Sequence, residues 1–240
     1  MIKLICQKKR LGKASAVNLF LQESQEEILI LSSADVLLTD KTLEYIIKPF
    51  KDPEVGIVGS HPVPLNDPKT YFGFSAHLLW KLHHAIALST PKMGEFIAFR
   101  KLFKRIPAIS GVDEANIEAL IRGQGYKAVY EPNCIIYNKG AENLKDFITR
   151  RRYIFAGHLA TKHEYRYEVS TISPSRILLI LLKNIEFSWR FIIWTPAVAL
   201  MEIYSRFLGF LDYKSKIEFQ PIWEIAKSTK QLPQIGKLND

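Results

Sequence analysis

The sequence predicts an α/β chain: a mixed sheet flanked by helices, then a basic amphipathic helix, then a hydrophobic helical segment. Two observations carry this reading. From residue 1 to about residue 140, short apolar runs alternate with amphipathic stretches, the pattern of strands covered by helices. Past Asn143 the apolar residues recur at helical spacing among many cations, and past Pro174 the chain turns oily.

Taken in order, the apolar run Ile2–Cys6 reads as a first strand, and Gly12-Lys13 opens a helix over 13–23. Four aliphatic residues, Ile28–Leu31, give a buried strand over 28–32 that ends in Ser32-Ser33-Ala34-Asp35. Asp40 is a candidate N-cap for a helix over 40–50. A strand over 55–60, a helix over 70–90 and a strand over 94–100 follow. Asp113-Glu114 open a helix over 113–123, which Gly123 and Gly125 close, and strands are expected over 127–131 and 134–138. Leu144, Phe147, Ile148, Phe155 and Leu159 share one face of a helix running to about Lys162, with Lys145, Arg150-Arg151-Arg152 and His158 on its other faces.

Ile177–Leu182 is too short to cross a bilayer, whereas Phe191–Leu211 has 21 residues and two charges, Glu202 and Arg206. A span needs ~20 apolar residues. The two charges stand four apart and can pair on one face. Pro196 is tolerated in such a helix, and Trp189, Trp194, Tyr204 and Tyr213 lie towards its ends, where aromatic residues favour the membrane interface. The tail from Ile177 to Leu211 is therefore expected to partition with membranes, spanning or lying in the interface; the competing reading is a soluble helical hairpin packed on the sheet. Four units result: a sheet domain over 1–140, the basic helix and linker over 141–175, membrane-associated helices over 176–213 and a C-terminal tail over 214–240.

At 240 residues the chain can bury one sizeable core. With 33 Lys and Arg against 24 Asp and Glu, the net charge is +9, which suits a phosphate-rich ligand, an anionic membrane or nucleic acid. Nucleic acid is disfavoured, because no reading motif or interleaved exposed aromatics accompany the charge. The two cysteines, Cys6 and Cys134, each sit in an apolar run and read as buried thiols rather than as a disulfide or zinc site. No signal peptide opens the sequence, so the globular part is expected in the cytoplasm.

Some residues suggest chemistry on their own. Asp35 lies just past the carboxyl end of a buried strand, where open α/β sheets place ligands, although such an Asp is commonly only a turn former. Lys13 follows Gly12 at a helix start, so its ammonium and the helix N-terminus can face one anion. Asp113 and Glu114 at another helix start would stay ionised and able to accept a proton, or simply cap the helix. Gly94 permits close approach of a ligand to the backbone. Three consecutive arginines cannot face one site, because neighbours on a helix are 100° apart. His77, His83 and His84 read as a polar helix face rather than a metal site.

Together these segments resemble family 2 glycosyltransferases, which have the GT-A fold, a Rossmann-like mixed sheet flanked by helices. Gly12-Lys13-Ala14-Ser15-Ala16-Val17-Asn18 is similar to the family's Gly-Lys-Ala-x-Ala-Leu-Asn, implying a nucleotide-sugar contact at Gly12, Lys13 and Asn18. Ser33-Ala34-Asp35 keeps the second acid of Asp-x-Asp, implying Asp35 as ligand of a divalent cation, Mg²⁺ or Mn²⁺. Asp113-Glu114-Ala115-Asn116-Ile117 resembles Glu-Asp-x-Asp-Leu, which implies Glu114, or Asp113, as catalytic base. Gly94–Arg100 looks like the strand beside the acceptor, and Thr149–Tyr153 is similar to Gln-x-x-Arg-Trp, which implies Arg152 at the leaving diphosphate. Gly157-His158-Leu159, Tyr167–Thr171 and Trp223–Lys230 also read like bacterial and archaeal members.

The resemblance implies an inverting transferase that moves a sugar from a nucleoside-diphosphate donor to a lipid-linked or polysaccharide acceptor at a membrane. In the family a further β-α-β unit precedes the Gly-Lys-Ala turn. Its absence here predicts that strand 2–6 lies at an exposed sheet edge. The alternative is a non-catalytic or partner-dependent remnant, completed by a chain that supplies the missing N-terminal segment.

Overall fold

The computed structural model describes residues 3–107, 111–215 and 226–230. Five strands form one mixed sheet: β1 (Ile28–Ser32), β2 (Val36–Leu38), β3 (Val55–Pro64), β4 (Phe96–Arg100) and β5 (Lys127–Asn138), in the order β1-β4-β3-β5-β2. β4 runs antiparallel to both β1 and β3, β3 is parallel to β5, and β2 closes the far edge antiparallel to β5. The carboxyl ends of β1, β3 and β5 and the start of β4 therefore share one end of the sheet, with Ser32 opposite Phe96.

Alternation along the central strands sends side chains to two cores. Ile97 and Phe99 join Ile57 beneath α1 (Lys13–Glu23) and α4 (Asp113–Gly123), through Ala14, Val17, Leu21, Ile117 and Ile121. Phe96 and Ala98 pack on the other face with Val58, Ile136 and Ile46 of α2 (Thr42–Ile47). With both faces covered, β4 reads as an unbroken apolar run, and each of Phe96, Ile97, Ala98 and Phe99 is buried.

Several boundaries differ from the sequence expectation for local reasons. Residues 3–6 form no strand, and Leu4 is 85% exposed, so the free edge of the sheet is β1 itself; Ile2 lies outside the described residues. Cys6 is exposed rather than buried, while Cys134 is buried as expected. α2 starts at Thr42, whose hydroxyl accepts from the Thr39 N–H at 2.8 Å and donates to the Ile135 carbonyl at 2.9 Å, so Asp40 is not its N-cap. Pro49 lies in the 3-10 turn Lys48–Lys51 that follows, where its missing N–H cannot continue the α-helical hydrogen bonds. The two strands expected at 127–131 and 134–138 are one, with the irregularity at Pro132 absorbed by a register shift in which Gly59 and His61 of β3 face Tyr130 and Ile135.

Helix α3 (Tyr71–Ala87) is capped by Thr70, whose hydroxyl accepts from the Gly73 N–H at 3.1 Å. α5 (Leu144–Tyr165) is capped by Asn143, whose amide oxygen accepts from the Asp146 N–H at 2.9 Å. α6 (Pro174–Lys183) and α7 (Trp189–Lys214) return across α3, where Leu78, Leu82, Phe191 and Val198 form a separate apolar cluster. The buried residues of α7, Phe191, Thr195, Val198, Ser205 and Gly209, make a single stripe. At Gly209 the helix lies so close to α5 that a Cβ would meet the Arg152 carbonyl oxygen at 2.5 Å, which fixes the need for glycine there. The outer face of α7 is exposed and apolar at Ile192, Ile193, Leu200, Ile203 and Phe207.

Candidate active site

A cavity of about 530 Å³ opens at the end of the sheet where β1 and β5 finish and β4 begins. Its lower wall comes from the loops there and its upper wall from α3, α5 and α7. Among the described lining residues, eight Lys or Arg face six Asp or Glu, so the cavity is charged and modestly positive.

Gly12 immediately precedes α1 with φ of 90°, a left-handed conformation that glycine adopts without strain. That turn brings Lys13 to the cavity, where its ammonium donates to the Glu114 carboxylate and lies 3.9 Å from Asp113 Oδ2. Asp113 is 3% exposed and both acids occupy the first turn of α4. Desolvation alone would lower the Lys13 pKa, but attraction to Glu114 and then Asp113 outweighs it and holds the ammonium above the ordinary lysine range.

Asp35, in the turn between β1 and β2, also lines the cavity, and the Lys230 ammonium sits 2.5 Å from its Oδ2. Lys230 belongs to a short 3-10 turn, Lys227–Lys230, held down by Asp146, which accepts from the Ser228 N–H at 3.1 Å and its hydroxyl at 2.5 Å. Thr229 of that turn is 1% exposed. Trp223-Glu224-Ile225 of the same motif lie outside the described residues. Among the described residues no three His, Cys, Asp or Glu side chains are grouped to hold a metal ion.

Gly94 lines the cavity, as expected, but its neighbour Glu95 does more there. Glu95 accepts from Asn138 Nδ2 at 2.7 Å and Arg150 Nη2 at 3.1 Å, and its carbonyl accepts from the Ser33 N–H at 3.1 Å. It ties β1, β4, β5 and α5 together at the cavity floor. The available signal was an acid directly between Gly94 and an apolar strand.

Three expected site residues lie elsewhere. Arg100 stands at the opposite end of β4, roughly 20 Å from Gly94 at about 3.3 Å per residue. There it pairs with Glu27 and donates to the carbonyls of Val55 at 3.0 Å and Phe50 at 3.1 Å. Asn18 bridges α1 to the loop before α4, donating to the Ile106 carbonyl at 2.9 Å and accepting from its N–H at 2.8 Å. Arg152 is turned away to Asp212 of α7, and the cavity receives Arg150 and Arg151 instead. Arg151 makes two bonds to Glu202, of 2.6 and 2.5 Å, and Glu202 also accepts from Arg206 Nε at 2.7 Å, the pair foreseen on α7.

The histidines are not a solvated face. His84 stacks on His61 with centroids 4.0 Å apart and contacts the Tyr130 hydroxyl at 2.7 Å, while His83 is buried in the cavity wall. Burial pushes the His83 pKa well below the usual value, with nearby Lys92 adding to the effect.

Residues 1–113 match the family model of glycosyl transferase family 2. Among solved structures, the chain is similar to mannosyltransferase PcManGT from Pyrobaculum calidifontis, determined in complex with GDP-Man and Mn²⁺. The likeness has a TM-score of 0.60 and 18% sequence identity, covers 90% of this chain and 70% of that one, and is a likeness of fold. No curated protein sequence matches the chain.

Proposed function

We propose that the chain, whose residues 1–113 match glycosyl transferase family 2, is a glycosyltransferase whose cavity transfers a sugar, with inversion, from a nucleoside-diphosphate donor to an acceptor hydroxyl at a membrane. The observation that carries this is the convergence of Gly12-Lys13, Asp35 and Asp113-Glu114, from three separate elements, on one cavity.

Glu114 is the proposed base, with Asp113 as its alternative. The Glu114 carboxylate, which pairs with the Lys13 ammonium, would accept the acceptor hydroxyl proton as that oxygen bonds to the anomeric carbon. The bond to the diphosphate breaks on the opposite face, and the leaving charge is met by cations of the cavity, Arg150 among them. A divalent cation fits Asp35: the carboxylate already attracts a cation, Lys230, and one carboxylate plus donor phosphates is a sufficient ligand set for Mg²⁺ or Mn²⁺. Bound there, the metal would neutralise the departing diphosphate.

Membrane attachment is supported by α7, which is long and apolar enough to cross a bilayer, and by the exposed apolar residues of α6 and α7. An interfacial position agrees best with the packing. α7 is bound lengthwise to α5 through the Arg151–Glu202 and Arg152–Asp212 pairs, which a crossing helix would carry into hydrocarbon. In this reading an interfacial position would bring a lipid-linked acceptor within reach of the cavity. A second reading, in which another chain completes the sheet, is favoured by the outer edge of β1, unpaired among the described residues, and by Ser33 at the place of a first acid.

The test is titration of the full chain with a panel of nucleotide sugars, with and without Mn²⁺, followed by turnover of the one that binds. Binding without turnover would favour the partner-dependent reading, and no binding would reject both.

A further inference from the structure

Away from Lys13 and Asp35, the cavity holds a second group of charges. Arg151 and Arg206 share the Glu202 carboxylate, and Glu118 serves Arg122 at 3.1 Å and the Tyr167 hydroxyl. Both carboxylates are thus engaged. Lys92, in the loop between α3 and β4, lines the same recess, and its ammonium makes no hydrogen bond or ion pair among the described residues. Beside it is His83, 6% exposed, with neither ring nitrogen hydrogen-bonded although the Met93 backbone lies close. His158, 7% exposed, lines the recess from α5. Buried polar groups in native proteins are almost always satisfied, so the unbonded imidazole of His83, with the half-buried Lys92 lining the same cavity, points to a missing anionic partner.

We propose that Lys92 and His83 form a second anion subsite, distinct from the donor diphosphate position, which receives a phosphate group carried by the acceptor. This rests on the reading of the cavity given above. Lys13 is paired with Glu114, whereas Lys92, on the same cavity, has no hydrogen bond or ion pair among the described residues. A phosphate beside Lys92 would gain a charge-assisted bond, and the neutral imidazole of His83 has one N–H to add. Trp80, Leu82, Ile86 and Ile154 line the cavity as well, a wall suited to the apolar remainder of such an acceptor. The strain on the unpaired cation is visible in its acidity: burial, then Arg151, brings the Lys92 pKa down to about 8.

The experiment is isothermal titration of inorganic phosphate into the full chain at neutral pH, alone and with GDP or UDP at saturation. Phosphate should bind the wild type with the nucleotide in place. Lys92→Met should weaken it at least tenfold while Lys92→Arg stays within about threefold, the charge being retained. Lys92→Gln replaces Lys92→Met if that variant does not fold. Equal phosphate affinity in Lys92→Met and wild type would overturn the proposal, as would complete displacement of phosphate by the nucleotide. If neither nucleotide binds, the donor reading fails, yet the comparison of Lys92→Met with wild type still decides the subsite.

Discussion

The ammonium of Lys230 lies 2.5 Å from Asp35 Oδ2, so residues 195 positions apart meet at the cavity wall. A lysine there competes with any other cation for the one carboxylate that follows β1. Both side chains retain some exposure, 52% and 19%, and pairs of this kind are worth at most ~1 kcal/mol.

Lys230→Ala should therefore lower the Mn²⁺ concentration needed for nucleotide binding, by no more than about fivefold. Calorimetric titration of Mn²⁺ in the presence of nucleotide measures this. An unchanged or weaker Mn²⁺ response would mean that Lys230 itself supplies the charge at Asp35.

Arg151 and Arg152 should separate sharply in stability. Arg151→Ala leaves Glu202, 14% exposed, with Arg206 alone and should cost about 3 kcal/mol, the low end for breaking a buried pair. Arg152→Ala breaks a more exposed pair with Asp212 and should cost under ~1 kcal/mol. Denaturant unfolding of the two variants checks the order.

Lys92 gives stability a pH signature. Its folded-state pKa of about 8 lies below its ordinary 10.5, so the unfolded chain binds more protons between those values and stability gains a rising contribution with pH there. Below about pH 8 that contribution is gone. The charged groups around it are Arg151, Arg206, Glu202, Glu118 and Glu114, with His83 and His158 neutral. Unfolding free energies of wild type minus Lys92→Met, measured from pH 7 to 10.5, should show the rise; a flat difference would contradict it.

Ile203 and Phe207 are 64% and 56% exposed on the outer face of α7. Ile203→Glu with Phe207→Glu should abolish flotation of the chain with anionic lipid vesicles while leaving the melting temperature within a few degrees. Wild-type chain that stays soluble and monomeric without detergent or vesicle binding would reject membrane attachment.

The sheet was legible where an element follows from its own residues: the apolar runs at β1, β4 and β5, and the glycines at 12 and 125, gave strands and turns directly. Residues 3–6 form no strand because an apolar run needs a partner strand to become one, and among the described residues none lies beside it. Lys13, Asp35, Asp113 and Glu114, each beside a helix start or strand end, do gather at one cavity. Lys230, Glu95 and Lys92 were not legible in the sequence, because their roles depend on contacts made across the fold. Arg152 was misassigned among three identical residues, since only the packing of α5 on α7 decides which of them turns inward.

The most direct test of the account is the kinetics of Glu114→Gln with the donor that binds. The amide keeps the shape and can still hydrogen-bond, but it cannot take the acceptor proton, and general-base catalysis is worth ~10²–10⁴-fold. The account predicts a fall in kcat of that order, with donor affinity within about threefold of wild type. Retained turnover in Glu114→Gln would contradict it: if Asp113→Asn alone abolishes activity, the base is Asp113, and if neither matters, the acidic pair is only the first turn of α4.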